Sequence, residues 1–123
     1  MIPGGFTQVD GELAVDKLLH MKHRPDAIFA VNDPVAIGAF SKIKQMKISI
    51  PDEIALIGFS NNPVSSLIEP SMTTVEQPSH EIGKVAAQLL LEKINHESKN
   101  DVIIQKILKT KLIVRESSKK NKL

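Results

Sequence analysis

The sequence predicts an α/β domain built on a parallel sheet, and three observations carry that reading. Two short uninterrupted apolar runs, "AIFAV" at residues 27–31 and "IALIG" at 54–58, have the length and composition of strands buried on both faces. The stretch between them has helical spacing and a strong helix start. Residues 27–58 therefore read as strand, helix, strand, which makes the two strands parallel and their crossover right-handed. The whole chain, 123 residues with 41% hydrophobic and 24% charged content, has the balance of one ordinary folded domain.

The elements follow in order. Residues 10–19, "DGELAVDKLL", form a helix: Asp10 is placed to cap it, Glu12 lies in its first turn, and Val15, Leu18 and Leu19 share one face. "HRPD" ends it, because the residue before Pro25 is pushed out of the helical region. After the first strand, Asp33 and Pro34 give the next helix an N-cap and a first helical residue. Ala36, Ile37, Phe40 and Ile43 make its apolar stripe. Gly38 inside this helix costs about 1 kcal/mol relative to Ala, which suggests close helix packing, with a surface glycine as the alternative. "TTVEQP", 73–78, reads as a short extended segment ended by Pro78. "SHEIGKVAAQLLLEKI" is the clearest helix, capped by Ser79, with Ile82, Val85, Ala86, Leu89 and Leu90 on a wide apolar face. "NHESKND" is a loop, residues 102–117 look like one or two strands, and 119–123 form a disordered basic tail. With four Phe and no Trp or Tyr, the core must be aliphatic.

Composition excludes several classes. A net charge of +2 is too small to argue for nucleic acid. With no cysteine there is neither a disulfide framework nor thiolate chemistry. No apolar stretch reaches the length of a membrane span, and "MIPGGFTQVDG" lacks the basic and apolar regions of a signal peptide. Catalytic patterns are weak. "GFSNN" begins like a nucleophile elbow but has Asn62 where the second glycine belongs. His20 and His23 have no third metal ligand nearby, and no glycine loop of the phosphate-cradling kind is present. The expectation is no catalytic residue, no metal and no cofactor.

Ligands of open parallel sheets bind beyond the carboxyl ends of the strands. Here the first strand ends at Asn32-Asp33 and the second at Ser60-Asn61-Asn62. Neighbouring parallel strands lie about 4.8 Å apart, so the two polar ends can face one small molecule. Asn and Ser both donate and accept, which suits a hydroxyl-rich ligand better than a phosphate or a metal. Simple capping and turn formation is the competing explanation, and for Asp33 helix capping is the favoured one. Phe6, after Gly4-Gly5, either stacks on a ligand or plugs the core.

"RPDAIFAVNDPVAIGAF", "IPDEIALIGFSNNPVSSLIEPSMTTVEQP", "EIGKVAAQLLLEKI" and the terminal "LIVRES" resemble the carboxyl half of the LacI/GalR family of bacterial transcription regulators, over residues 4–118. The resemblance implies a periplasmic-binding-protein-like (type I) domain, here incomplete, with residues 1–118 forming the carboxyl-terminal part of an effector-binding and dimerisation domain. The helix-turn-helix, the hinge, the complete amino-terminal lobe and part of the carboxyl-terminal lobe would lie outside these residues. An effector, a sugar or related small polar metabolite, would sit between the lobes and control operator binding in a cytoplasmic homodimer. Phe6 matches the aromatic that packs on the effector, Asn32 a polar contact after the strand, and Gln77 a polar position at the last crossover between lobes. Ser60 stands where the family usually has Asp, so Asn61 is a candidate to share that role. Ile37, Phe40, Leu67 and Ile68 match the surface that faces the dimer partner, with ordinary core as the equal alternative for Leu67 and Ile68. The helix at 79–95 would normally pack on the absent lobe, which implies that the isolated chain self-associates.

Two other functions compete. A lobe of a periplasmic sugar-binding transport protein shares the fold, although "LIVRES" favours the regulators. An enzyme on a doubly wound sheet would need an acid–base or nucleophile constellation that the sequence does not show.

Overall fold

A computed structural model describes residues 2–95 and 103–120. The chain divides into two units, Met1–Glu76 with Lys111–Leu123, and Gln77–Thr110.

In the first unit, helix α1 spans Gln8–Leu19. Its N-cap is Thr7, not Asp10 as the sequence suggested. Thr7 Oγ1 accepts from the Asp10 amide at 3.3 Å, and the Asp10 carboxylate accepts from the Thr7 amide at 2.9 Å. This is a reciprocal capping box, with Asp10 as its third helical residue. Both residues are good caps; the pair at spacing three decides which one starts the helix.

Strand β1 (Ala27–Phe29) leads into helix α2 (Asp33–Gln45), followed by strand β2 (Ala55–Phe59). A 3-10 turn at Pro63–Ser66 then leads to strand β3 (Thr73–Glu76). The sheet order is β1-β2-β3-β4, with β1, β2 and β3 parallel and β4 (Lys111–Ile113) antiparallel to β3. The parallel pairing expected for 27–58 is therefore present, with Ala27 opposite Ala55 and Phe29 opposite Ile57. The expected strands over 102–117 shrink to β4. Described residues 103–110 take no strand pairing, and residue 102 and most of the "NHESKND" loop lie outside the described residues. Apolar patterning cannot make a strand without a ladder partner, and β3 offers one only from Thr74 to Glu76.

The core is aliphatic, as expected: Val15, Ala36, Ile43, Ile54, Leu56 and Met72 are fully buried. Each of the larger side chains contributes about 1.5–3 kcal/mol by leaving water. Helices α1 and α2 meet through two glycines. A Cβ on Gly11 would strike the Val35 carbonyl, and one on Gly38 the Gln8 carbonyl. The cost of Gly38 in a helix is thus offset by backbone-to-backbone contact.

Strand β1 is not buried on both faces. Phe29 is 63% exposed and Val31 is also exposed. Among the described residues only β2 pairs with β1, so β1 is an edge strand, and Ala27 and Phe29, which share one of its faces, are exposed.

The second unit contains helix α3 (Ser79–Asn95), which carries Glu81 in its first turn and Lys93 in its last, the charges that its dipole favours. None of its residues is buried.

Candidate functional site

The carboxyl ends of β1 and β2 open into two polar crests, joined by one carboxylate. The sequence reading made Asp33 the N-cap of α2; the cap is Asn32, whose Oδ1 accepts from the Val35 amide at 2.8 Å. Asp33 is the first helical residue and is fully buried. Its Oδ1 accepts from Thr74 Oγ1 at 2.7 Å, and its Oδ2 accepts from Ser65 Oγ at 2.9 Å and from the Asn62 amide. Gly58 leaves the room: a Cβ there would meet Asp33 Oδ1. Asp33 therefore pins the start of α2 to β3 and to the loop after β2. Two adjacent residues that both cap well made the assignment ambiguous. The three donors lie 29 to 41 residues away, beyond local reading.

Phe6 is not a core plug. It is 69% exposed, and its carbonyl accepts from Asn32 Nδ2 at 3.1 Å. The structure thus brings the Phe6 segment and Asn32 together across 26 residues. Asn32 Nδ2 carries a second hydrogen, and Oδ1 a second lone pair, beyond these two bonds.

On the other crest, Ser60 and Asn61 both take positive φ, 115° and 52°. The Ser60 amide donates to the Val75 carbonyl at 2.8 Å, and the Ser60 side is exposed. The Asn61 side chain is engaged within the protein: Oδ1 accepts from Arg115 Nη2 at 2.8 Å and Nδ2 donates to Glu76 Oε1 at 3.0 Å. Asn62 caps the 3-10 turn through the Val64 amide. Gln77 opens the second unit and is half-buried.

The sequence reading passed over the aromatic pair Phe29 and Phe59, whose rings meet edge to face at 6.5 Å near the carboxyl ends of β1 and β2. It also passed over Arg115. Two phenylalanines at the ends of neighbouring strands were a visible signal for the first; nothing local signalled the second.

A groove of about 560 Å³ runs beside these crests, lined among others by Phe6, Ala14, Leu18, Ile28, Phe29 and Val31. Its walls are mostly apolar, which suits aliphatic side chains better than a hydroxyl-rich ligand. Neither Asn32 nor Ser60 lines it. Among the described residues no three metal-ligating side chains converge, and no helix is long and apolar enough to cross a membrane.

A mostly parallel sheet with polar crests at its carboxyl ends defines one part of an α/β ligand-binding domain. Comparison with known proteins agrees. The periplasmic binding protein-like domain pattern matches residues 3–118. An HTH-type transcriptional repressor PurR of Vibrio parahaemolyticus is 31% identical over 120 residues, 98% of this chain and 35% of that protein. The corresponding repressor of Aliivibrio salmonicida is 38% identical over 91 residues, 74% of this chain and 27% of that one. Among solved structures, a LacI family transcriptional regulator from Enterococcus faecium with bound ribose superposes with TM-score 0.82 at 30% identity. That match covers 98% of this chain and 43% of the other. The transcriptional regulator CelR–cellobiose complex superposes with TM-score 0.84 at 33% identity, covering 94% of this chain and 35% of that one. The chain belongs to the periplasmic binding protein-like domain family, in its LacI/GalR branch of regulator effector-binding domains. It spans about a third of the length of the curated relatives it matches.

Proposed function

We propose that these residues are the sensor portion of a bacterial LacI-type transcription regulator. In this reading the chain is cytoplasmic, binds a small polar effector and dimerises. It thereby governs operator binding by a DNA-binding domain that lies outside these residues. The observation that carries the reading is the Phe6–Asn32 bond: an exposed aromatic and a side-chain amide with spare bonding capacity stand together at the carboxyl end of the sheet. An apolar ring face beside mixed donors and acceptors is the chemistry that recognises a sugar. The bound ribose and cellobiose of the two structural relatives support the same ligand class. Ser60 joins Phe6 and Asn32 as a contact, and Gln77 is retained on the strength of the resemblance. Asn61 supports that crest, its amide lying between Arg115 and Glu76, and its second hydrogen and second lone pair keep it a candidate contact beside Ser60.

For the dimer surface, Leu67 is the leading residue at 81% exposure. Ile37, Phe40 and Ile68 pack against the core and would frame it. The repressor and regulator relatives favour this reading over a transport receptor.

The test is titration calorimetry with D-ribose, cellobiose and sucrose on the longer reading frame that carries these residues. Binding of one sugar, weakened about tenfold by Ser60→Ala with unchanged melting, supports the assignment. Absence of heat with all three removes the sugar class, and an affinity that Ser60→Ala leaves unchanged removes Ser60 from the site.

A further inference from the structure

The terminal "LIVRES" carries the resemblance, yet the site as read above gives it no task. Arg115 within it is held at both its root and its tip. Its backbone amide donates to Thr73 Oγ1 at 2.8 Å, and its carbonyl lies 3.0 Å from the same hydroxyl oxygen. Its guanidinium donates through Nη1 to the Met72 carbonyl and through Nη2 to Asn61 Oδ1, each at 2.8 Å. The next residues fasten the segment further: Glu116 accepts from the Ser71 amide and hydroxyl, and Ser117 Oγ accepts from the Thr73 amide.

The other end of this chain of contacts is the turn at Ser60-Asn61. Two consecutive non-glycine residues at positive φ are costly and persist only where the surroundings hold them. The Asn61 amide donates to Thr74 Oγ1 at 3.2 Å, and its side chain lies between a cation and an anion, Arg115 and Glu76. The oxygen faces the donor and the nitrogen faces the acceptor. A carboxylate here would oppose Glu76, and an aliphatic side chain would satisfy neither neighbour.

We propose that Arg115 is a positioning residue of the effector site: through Asn61, and with Glu76 as counterpart, it fixes the positive-φ turn that presents Ser60. Its meaning for ligand binding rests on the reading of Ser60 as an effector contact. The shape of the turn does not depend on that reading.

Amide hydrogen exchange by NMR on the 123-residue chain separates the two. Arg115→Ala speeds exchange at the Asn61 amide by about tenfold, while the Ala55 amide, bonded to the Asp26 carbonyl, keeps its rate. Asn61→Asp speeds it similarly, by setting two carboxylates face to face. Adding Glu76→Gln to Asn61→Asp restores a donor opposite the acceptor and returns the rate to within about twofold of wild type. An unchanged Asn61 rate in Arg115→Ala overturns the proposal. So does acceleration that spreads equally to Ala55, or a double variant no better than Asn61→Asp. The titration of the longer reading frame with D-ribose, cellobiose and sucrose runs alongside. If none binds while the exchange pattern holds, the sugar reading falls and the positioning of the turn by Arg115 stands.

Discussion

Thr74 Oγ1 donates to the Asp33 carboxylate at 2.7 Å, joining β3 to the first turn of α2 across 41 residues of chain. Ser65 and the Asn62 amide complete the set of donors around that buried group. Removing the acceptor leaves three donors unpaired, each costing about 1–3 kcal/mol. Asp33→Ala is therefore expected to destabilise the chain by about 3 kcal/mol or more in urea unfolding. Asp33→Asn, which keeps one acceptor oxygen, should lose less. A loss below about 1 kcal/mol in Asp33→Ala would mean that water replaces the carboxylate.

Glycines in helices provide a second test. Alanine is intrinsically better in a helix by about 1 kcal/mol. At Gly83 a Cβ meets nothing, so Gly83→Ala should stabilise by up to that amount. At Gly38 a Cβ meets the Gln8 backbone, so Gly38→Ala should destabilise by about 1–3 kcal/mol despite the better propensity. Thermal melts of the two variants should shift in opposite directions.

The Ser71 amide and then the Ser71 hydroxyl hold the Glu116 carboxyl below the ordinary glutamate range. The Thr7 hydroxyl and amide do the same for Asp10, as do the Ser49 amide and Arg24 for Glu53. A depressed folded-state value gives stability that is fully present above the unfolded value, about 4.3 for glutamate, and is lost as pH falls through the folded one. The urea midpoint should hold from pH 7 to about 5 and drop below about 4. Glu116→Gln should lower the midpoint at pH 7 and flatten part of the acid drop. An identical acid profile in that variant would exclude Glu116 as a contributor.

Charge at position 60 should tune effector affinity. Hydrogen bonds to a carboxylate are about twice as strong as neutral ones. If a sugar binds, Ser60→Asp should tighten it by about tenfold in calorimetry, whereas Ser60→Ala should weaken it. Equal affinities across the three forms would place the ligand elsewhere.

Much of the fold is written in local pattern. The runs at 27–31 and 54–58, with Pro34 between them, are enough for parallel β1 and β2 around α2 because each signal spans only a few residues. Gly38 announced its close packing by being unfavourable where it stands. The misreading of Asp10 has a local cause, its reciprocal pairing with Thr7, whereas other features depend on contacts set by topology. Asp33 looks like a cap until β3 delivers Thr74, and the partner that orients Asn61, Arg115, arrives only with the segment after β4. Exposure of β1 was illegible for a related reason: an apolar run records that a strand is covered, not which residues cover it.

The chain leaves the first unit after Glu76 and re-enters it at Lys111, and those two residues are ladder partners on antiparallel strands. The intervening segment is thus a guest whose entry and exit points are side by side. A tight Asn-Gly turn can bridge such a pair. Excising residues 77–110 in favour of that turn would convert β3 and β4 into a hairpin and make the host sheet contiguous in sequence. The resulting miniature should retain the Asp33 and Arg115 networks, and its cooperative unfolding would show that the host folds without its guest.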